Sequence, residues 1–157
     1  MRSVLACMVV GGLVAGAGLA GQSTTIKPVA TVEQLHDAMI NPSSDAIFNV
    51  GRLAPTNDAD WTAVRNAAVI LAESSNLLML QGRALDSGLW MQMSREMLDS
   101  AALALAAAER QDLDQLMEAG GLIVAVCEAC HEPYRDGGRT MGPPPDAAPL
   151  PSSAADR

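Results

Sequence analysis

Lysine is almost absent: Lys27 is the only one in 157 residues, and the formal net charge is −8. A chain this acidic has no basic surface for gripping phosphates. That excludes nucleic acid and anionic lipid surfaces as partners and leaves docking on a basic protein open. Strand patterns and internal repeats are missing as well, so no sheet is expected. Histidine occurs only at His36 and His131, and cysteine only at Cys7, Cys127 and Cys130. No acid, base and nucleophile stand together in a catalytic spacing, so an enzyme is not expected.

The chain opens with Arg2 and an apolar run from Val4 to Ala20 rich in Gly and Ala, closing on Gly18-Leu19-Ala20. This reads as a secretory signal peptide over residues 1–20, removed from the mature protein. The alternative, a retained membrane anchor, suits the run poorly because it is short and Gly-rich. Cys7 comes too early for a lipoprotein cysteine and leaves with the signal. Residues 21–30 are a polar lead, 31–136 the folded domain, and 137–157 a Gly-, Pro-, Ala- and Ser-rich tail expected to be disordered.

Cleavage leaves Cys127 and Cys130 as the only thiols, in Cys127-Glu128-Ala129-Cys130-His131. C-x-x-C-H is the attachment signature of a c-type haem. Two thiols at this spacing reach two vinyl groups along one porphyrin edge, and the next residue offers an imidazole to the iron. Two other readings stay open. A bare C-x-x-C also serves as a dithiol redox pair, though such pairs favour helix N-termini and this one ends a helical pattern. A structural zinc site would have to draw on Cys127, Cys130, His131 and His36, without the usual second pair.

The rest of the chain is helical in pattern. Thr31 is a candidate N-cap, and Val32, Leu35, His36 and Met39 share one face. Pro42 bends this first helix, which continues through Ala46, Ile47 and Val50 to Gly51. After a loop capped by Asn57 or Asp58, Trp61, Val64, Ala68, Leu71, Ser75 and Leu78 make a heptad seam, widened by Ile70, Leu77 and Leu80 and ended by Gly82. Trp90, Met93, Met97, Ser100 and Ala104 repeat the steps. Leu113, Leu116, Gly120, Ile123, Cys127 and Cys130 form the last seam, so both cysteines lie on a core-facing stripe. Gly120-Gly121 marks either a close approach or a tolerated kink. Pro133 is expected to bend or stop the last helix near His131. Met79, Met91, Met93, Met97 and Met117 read as packing, Trp61 and Trp90 as core or cofactor wall. Arg65 and Arg83 read as exposed helix arginines or, alternatively, as partners for haem propionates.

Four helical segments with C-x-x-C-H near the end of the fourth resemble the class II c-type cytochromes, the cytochrome c-prime and cytochrome c556 group. The resemblance spans about residues 31 to 136. It includes Tyr134 and Arg135 after the motif and the first-helix segment Asn41-Pro42-Ser43-Ser44-Asp45-Ala46-Ile47; Pro133 departs from it. Small class I cytochromes fit poorly, because the only methionine after the motif is Met141, in the tail. The resemblance implies an all-α, antiparallel four-helix bundle with one covalent haem c on Cys127 and Cys130, near the C-terminal end of the fourth helix. It implies His131 as proximal iron ligand and a periplasmic location. A first-helix residue would face the distal side: His36 is the first candidate, Met39 the second, an open site the third. Ligands that stay on make a one-electron carrier; an open or displaceable site makes a binder or sensor of nitric oxide or carbon monoxide. The remaining alternative is a helical bundle without haem. The expected partners are a redox protein with a basic docking face, a small gas ligand where the site is open, and a second copy in a homodimer.

Overall fold

Thr31 starts the first rod with a reciprocal cap. The Gln34 amide donates to Thr31 Oγ1 at 3.1 Å, and the Thr31 amide to Gln34 Oε1 at 3.0 Å. The computed structural model describes residues 26–135. The segment expected to be a signal peptide, Cys7, Met141 and the expected disordered tail lie outside the described residues. The rod runs through α1 (Val32–Leu35), a π-helical turn (His36–Ile40), α2 (Asn41–Phe48) and a 3-10 turn (Asn49–Gly51). In the π turn the Asn41 amide bonds to the carbonyl of His36, five residues back. The expected kink at Pro42 is therefore a widened turn just before it. Proline offers no amide and its ring crowds the carbonyl one turn below. An expanded turn accommodates both at the cost of one inserted residue.

Helix α3 (Asp58–Leu78) starts on Asn57, whose side chain accepts from the amides of Ala59 and Asp60. Its seam of Trp61, Val64, Ala68, Leu71, Ser75 and Leu78 is buried. Ile70 does not widen that face; it is exposed. The helix also stops at Leu78 rather than at Gly82, which takes the left-handed φ of 83° in the following turn. Side chains explain the early stop. Arg83 Nη1 donates to the Leu77 carbonyl at 2.6 Å and Trp90 Nε1 to the Leu78 carbonyl at 2.9 Å, taking two of the carbonyls that a helix end orphans.

Helix α4 (Leu89–Glu109) buries Trp90, Met93, Met97, Ser100 and Ala104, and Gln111 at φ 54° turns the chain into α5 (Leu113–Tyr134), capped by Asp112. Met117 is exposed and does not pack in the core. Of the expected bend or stop near His131, the stop comes three residues later: α5 runs through Pro133 and ends at Tyr134. Proline's fixed φ is helical, so the ring removes one ladder bond without forcing the chain out of register. Buried Tyr134 then anchors the turn beyond it.

All regular elements among the described residues are helical, with no strand. Contacts run from α2 to α3, α3 to α4, α4 to α5 and α5 back to α2, closing a ring round one core as in a helical bundle. Neighbouring rods run in opposite directions. The end of α3 meets the start of α4 at Leu78 and Trp90. The start of the first rod meets the end of α5 at His36 and His131. Neither Gly120 nor Gly121 is forced by a close approach: a Cβ on Gly120 would lie in ordinary contact, 3.6 Å from Ile47 Cγ2, and one on Gly121 would meet open space. Buried Ser44, Ser75 and Ser94 bond back to carbonyls one turn below, and no buried side-chain polar atom among the described residues lacks a partner.

Candidate functional site

His36 and His131 are far apart in sequence and adjacent in space. Their ring centroids are 5.9 Å apart and the planes are inclined by 41°. His36 leaves the first rod at the π turn, and His131 sits in the last turns of α5. Both line a slot between the rods, together with Cys127 and Cys130. Ile40, Leu78, Trp90, Met93, Met97 and Val126 make its walls apolar. The free space in the slot is about 60 Å³, and the slot is partly open to solvent.

The His36 ring is oriented by its own helix: Nδ1 donates to the Val32 carbonyl at 2.9 Å. In the neutral imidazole that tautomer leaves the Nε2 lone pair available, the arrangement common to metal-ligating histidines. Both cysteines are half-buried. Burial, then the neighbouring Cys130 and Glu128, push the Cys127 thiol up to about 11, and burial raises Cys130 as well. A dithiol redox pair needs the opposite, a thiol lowered towards neutrality. Among the described residues no three of His, Cys, Asp and Glu converge on a common point, so a four-ligand zinc site is not preformed.

A haem asks for less of the side chains: two thiols at one edge, one or two axial ligands, and an apolar surround. Two imidazoles on opposite sides of one metal, each at about 2 Å through nitrogen, would have centroids roughly 6 Å apart. The 5.9 Å between the His36 and His131 centroids is of that size, and the cysteines line the same slot.

The other candidate residues divide. Met39 is partly buried against the hydrophobic core and does not line the slot. Trp90, Met93 and Met97 line it; Trp61 is core at a distance from it. Arg83 is not an exposed helix arginine. It is 6% exposed, lies in the turn after α3, and donates to the carbonyls of Ala30 and Leu77, with burial lowering its pKa. Arg65 bonds to Thr62 within its helix. Neither lines the slot, whereas Tyr134 and Arg135 do.

Sequence reasoning missed Asp86. Its Oδ1 accepts from the amides of Gly88 at 2.9 Å and Trp90 at 3.1 Å, and its Oδ2 accepts from the Tyr134 hydroxyl. The available signal was an Asp placed to cap the helix that begins with Leu89-Trp90. None of the described helices is long and apolar enough to cross a membrane. No protein-family model matches the chain, and comparison with curated proteins and with solved structures finds no match.

Proposed function

We propose that this protein is an exported c-type cytochrome carrying one haem and acting as a one-electron carrier. The observation that carries the reading is the meeting of His36 and His131, 5.9 Å apart, in an apolar slot that Cys127 and Cys130 also line. Cys127 and Cys130 would hold the group covalently, and His131 and His36 would hold its iron. The haem supplies an iron that exchanges one electron. The chain's own residues do the rest. The Val32 carbonyl fixes the His36 tautomer, the rods hold the two imidazoles beside each other, and the apolar walls limit water at the site. Two retained protein ligands keep rearrangement on electron exchange small, which favours a carrier over a gas binder. The net charge of −8 suits a basic redox partner.

The test is the mass of the full chain produced alongside a haem-attachment system. One added haem is expected, and none in the Cys127→Ala/Cys130→Ala double variant. An unmodified mass in the native protein overturns the reading. Optical spectra of ferric and ferrous protein, with and without carbon monoxide, separate the two haem functions. A low-spin ferric form that takes up carbon monoxide slowly marks the carrier; a high-spin form with fast uptake marks a gas binder.

A further inference from the structure

We infer that Asp86 and Tyr134 are positioning residues for His131: a strap from the α3–α4 turn that fixes the last turn of α5 against the slot. The inference deepens the haem reading and rests on it for its functional meaning; the strap itself can be tested without haem.

The need for a strap comes from Pro133. With no amide at that position, the helix loses the ladder bond it would make to the Ala129 carbonyl, two residues before His131. Helix ends fray readily, and this one carries the ligand. The bond from the Arg135 amide to the His131 carbonyl, 2.9 Å, is the one that closes the turn beyond the proline.

Side chains replace the missing bond. Tyr134 is 4% exposed and donates its hydroxyl to Asp86 Oδ2. Asp86 is fixed in turn, because its other oxygen accepts from the amides of Gly88 and Trp90 at the start of α4. The Tyr134 ring meets the Trp90 ring edge to face, with centroids 5.2 Å apart at 86°. Trp90 is itself pinned through Nε1 to the Leu78 carbonyl. The turn holding His131 is thus tied to the ends of both α3 and α4. His131, Tyr134 and Trp90 all line the slot.

Tyr134→Phe keeps the ring on Trp90 and removes the hydroxyl. Asp86→Asn keeps an oxygen for the two amides and turns an N–H towards the Tyr134 hydroxyl oxygen, which can accept it, while removing the charge. In the haem-loaded full chain, Tyr134→Phe should give a mixed-spin ferric spectrum and at least tenfold faster carbon monoxide uptake. Asp86→Asn should stay close to native. In the haem-free full chain, hydrogen exchange at the Arg135 amide should speed up at least tenfold in Tyr134→Phe and stay within threefold of native in Asp86→Asn. A Tyr134→Phe protein with native exchange at Arg135 overturns the strap. Faster exchange with a native ferric spectrum in the loaded protein overturns its role in positioning His131. A chain that accepts no haem overturns the functional reading, and the exchange measurement still decides whether the strap exists.

Discussion

At one end of the bundle the rods meet through Ala104, Ala107, Ala108, Ala119 and Leu116, each at most 2% exposed. At the other they meet through Trp90, Met93, Met97, Cys127, Cys130 and the two histidines, round a slot that opens to solvent. Small side chains let helices approach closely and leave nothing between them to rearrange. Large, flexible ones, methionine above all, can line a space and adapt to what enters it. The same four rods therefore divide two tasks along their length. The alanine end holds the fold together, and the methionine end holds the candidate site.

If that division is right, substitutions at the two ends should act on different measurements. The largest functional effect is expected from His36→Ala in the haem-loaded protein. His36 is only partly buried, so the helical circular dichroism should stay close to native. The ferric spectrum should change from low-spin to high-spin, and carbon monoxide should bind readily. Met39→Ala should do much less to the spectrum, because Met39 packs on the core and does not line the slot. A spin change produced by Met39→Ala alone would transfer the distal role to Met39.

The next effect belongs to the alanine end. Leu116 is fully buried, and Leu116→Ala should cost about 2–5 kcal/mol, the usual range where close-packed neighbours cannot collapse into the cavity. Urea unfolding should show this as a lowered midpoint, with one haem still attached at low denaturant. Met93→Leu, beside the slot, conserves volume and should cost less than about 1.5 kcal/mol. A larger loss at Met93 than at Leu116 would mean that the methionine end carries the stability after all.

How much of this was legible beforehand follows the same division. The regular seams were readable because a buried helix face imposes steps of three and four, and Trp61 to Leu78 and Trp90 to Ala104 keep those steps. The helix ends were not. The stop at Leu78 depends on Arg83 and Trp90 taking the carbonyls of Leu77 and Leu78, contacts that exist only once the turn has folded. The continuation through Pro133 depends on Tyr134 being held from Asp86, across 48 residues of sequence. The candidate site was legible in its residue types, since C-x-x-C-H and the lone remaining histidine stand out in composition. Its geometry was not. His36 reaches the slot from a π turn ahead of Pro42, and sequence periodicity alone indicates only a bend there. Arg83 was misread because a charged residue near a helix end is ordinarily solvated, whereas here two backbone carbonyls take up its donors.

The smallest expected effect lies in the loop at the alanine end. Thr56, Asn57 and Asp60 form a knot at the start of α3, in which Asp60 Oδ2 accepts from the Thr56 amide at 2.9 Å, the Thr56 hydroxyl at 3.0 Å and Asn57 Nδ2 at 2.9 Å. The Thr56 amide first, then its hydroxyl, then Asn57, hold the carboxyl below its ordinary value of 3.8. A carboxyl depressed in the folded state binds protons more readily once the chain unfolds. Its stabilising contribution is therefore complete above 3.8 and is lost as the pH falls through the lower, folded value. Asp60→Asn removes the titration while keeping one acceptor oxygen. The variant should be slightly less stable than native at neutral pH, because the charge-assisted bonds are weakened. Below 3.8 the gap between the two proteins should close, as native Asp60 also becomes neutral. Thermal melts of the two proteins at neutral pH and at successive acid steps would read this directly. Because Asp60 remains in contact with solvent at the surface, the difference should be small at every pH. A gap that widens on acidification would mean that the knot does not favour the ionised carboxylate. No change in the ferric spectrum is expected at any of these steps from this substitution, since the knot is at the end of the bundle away from His36 and His131.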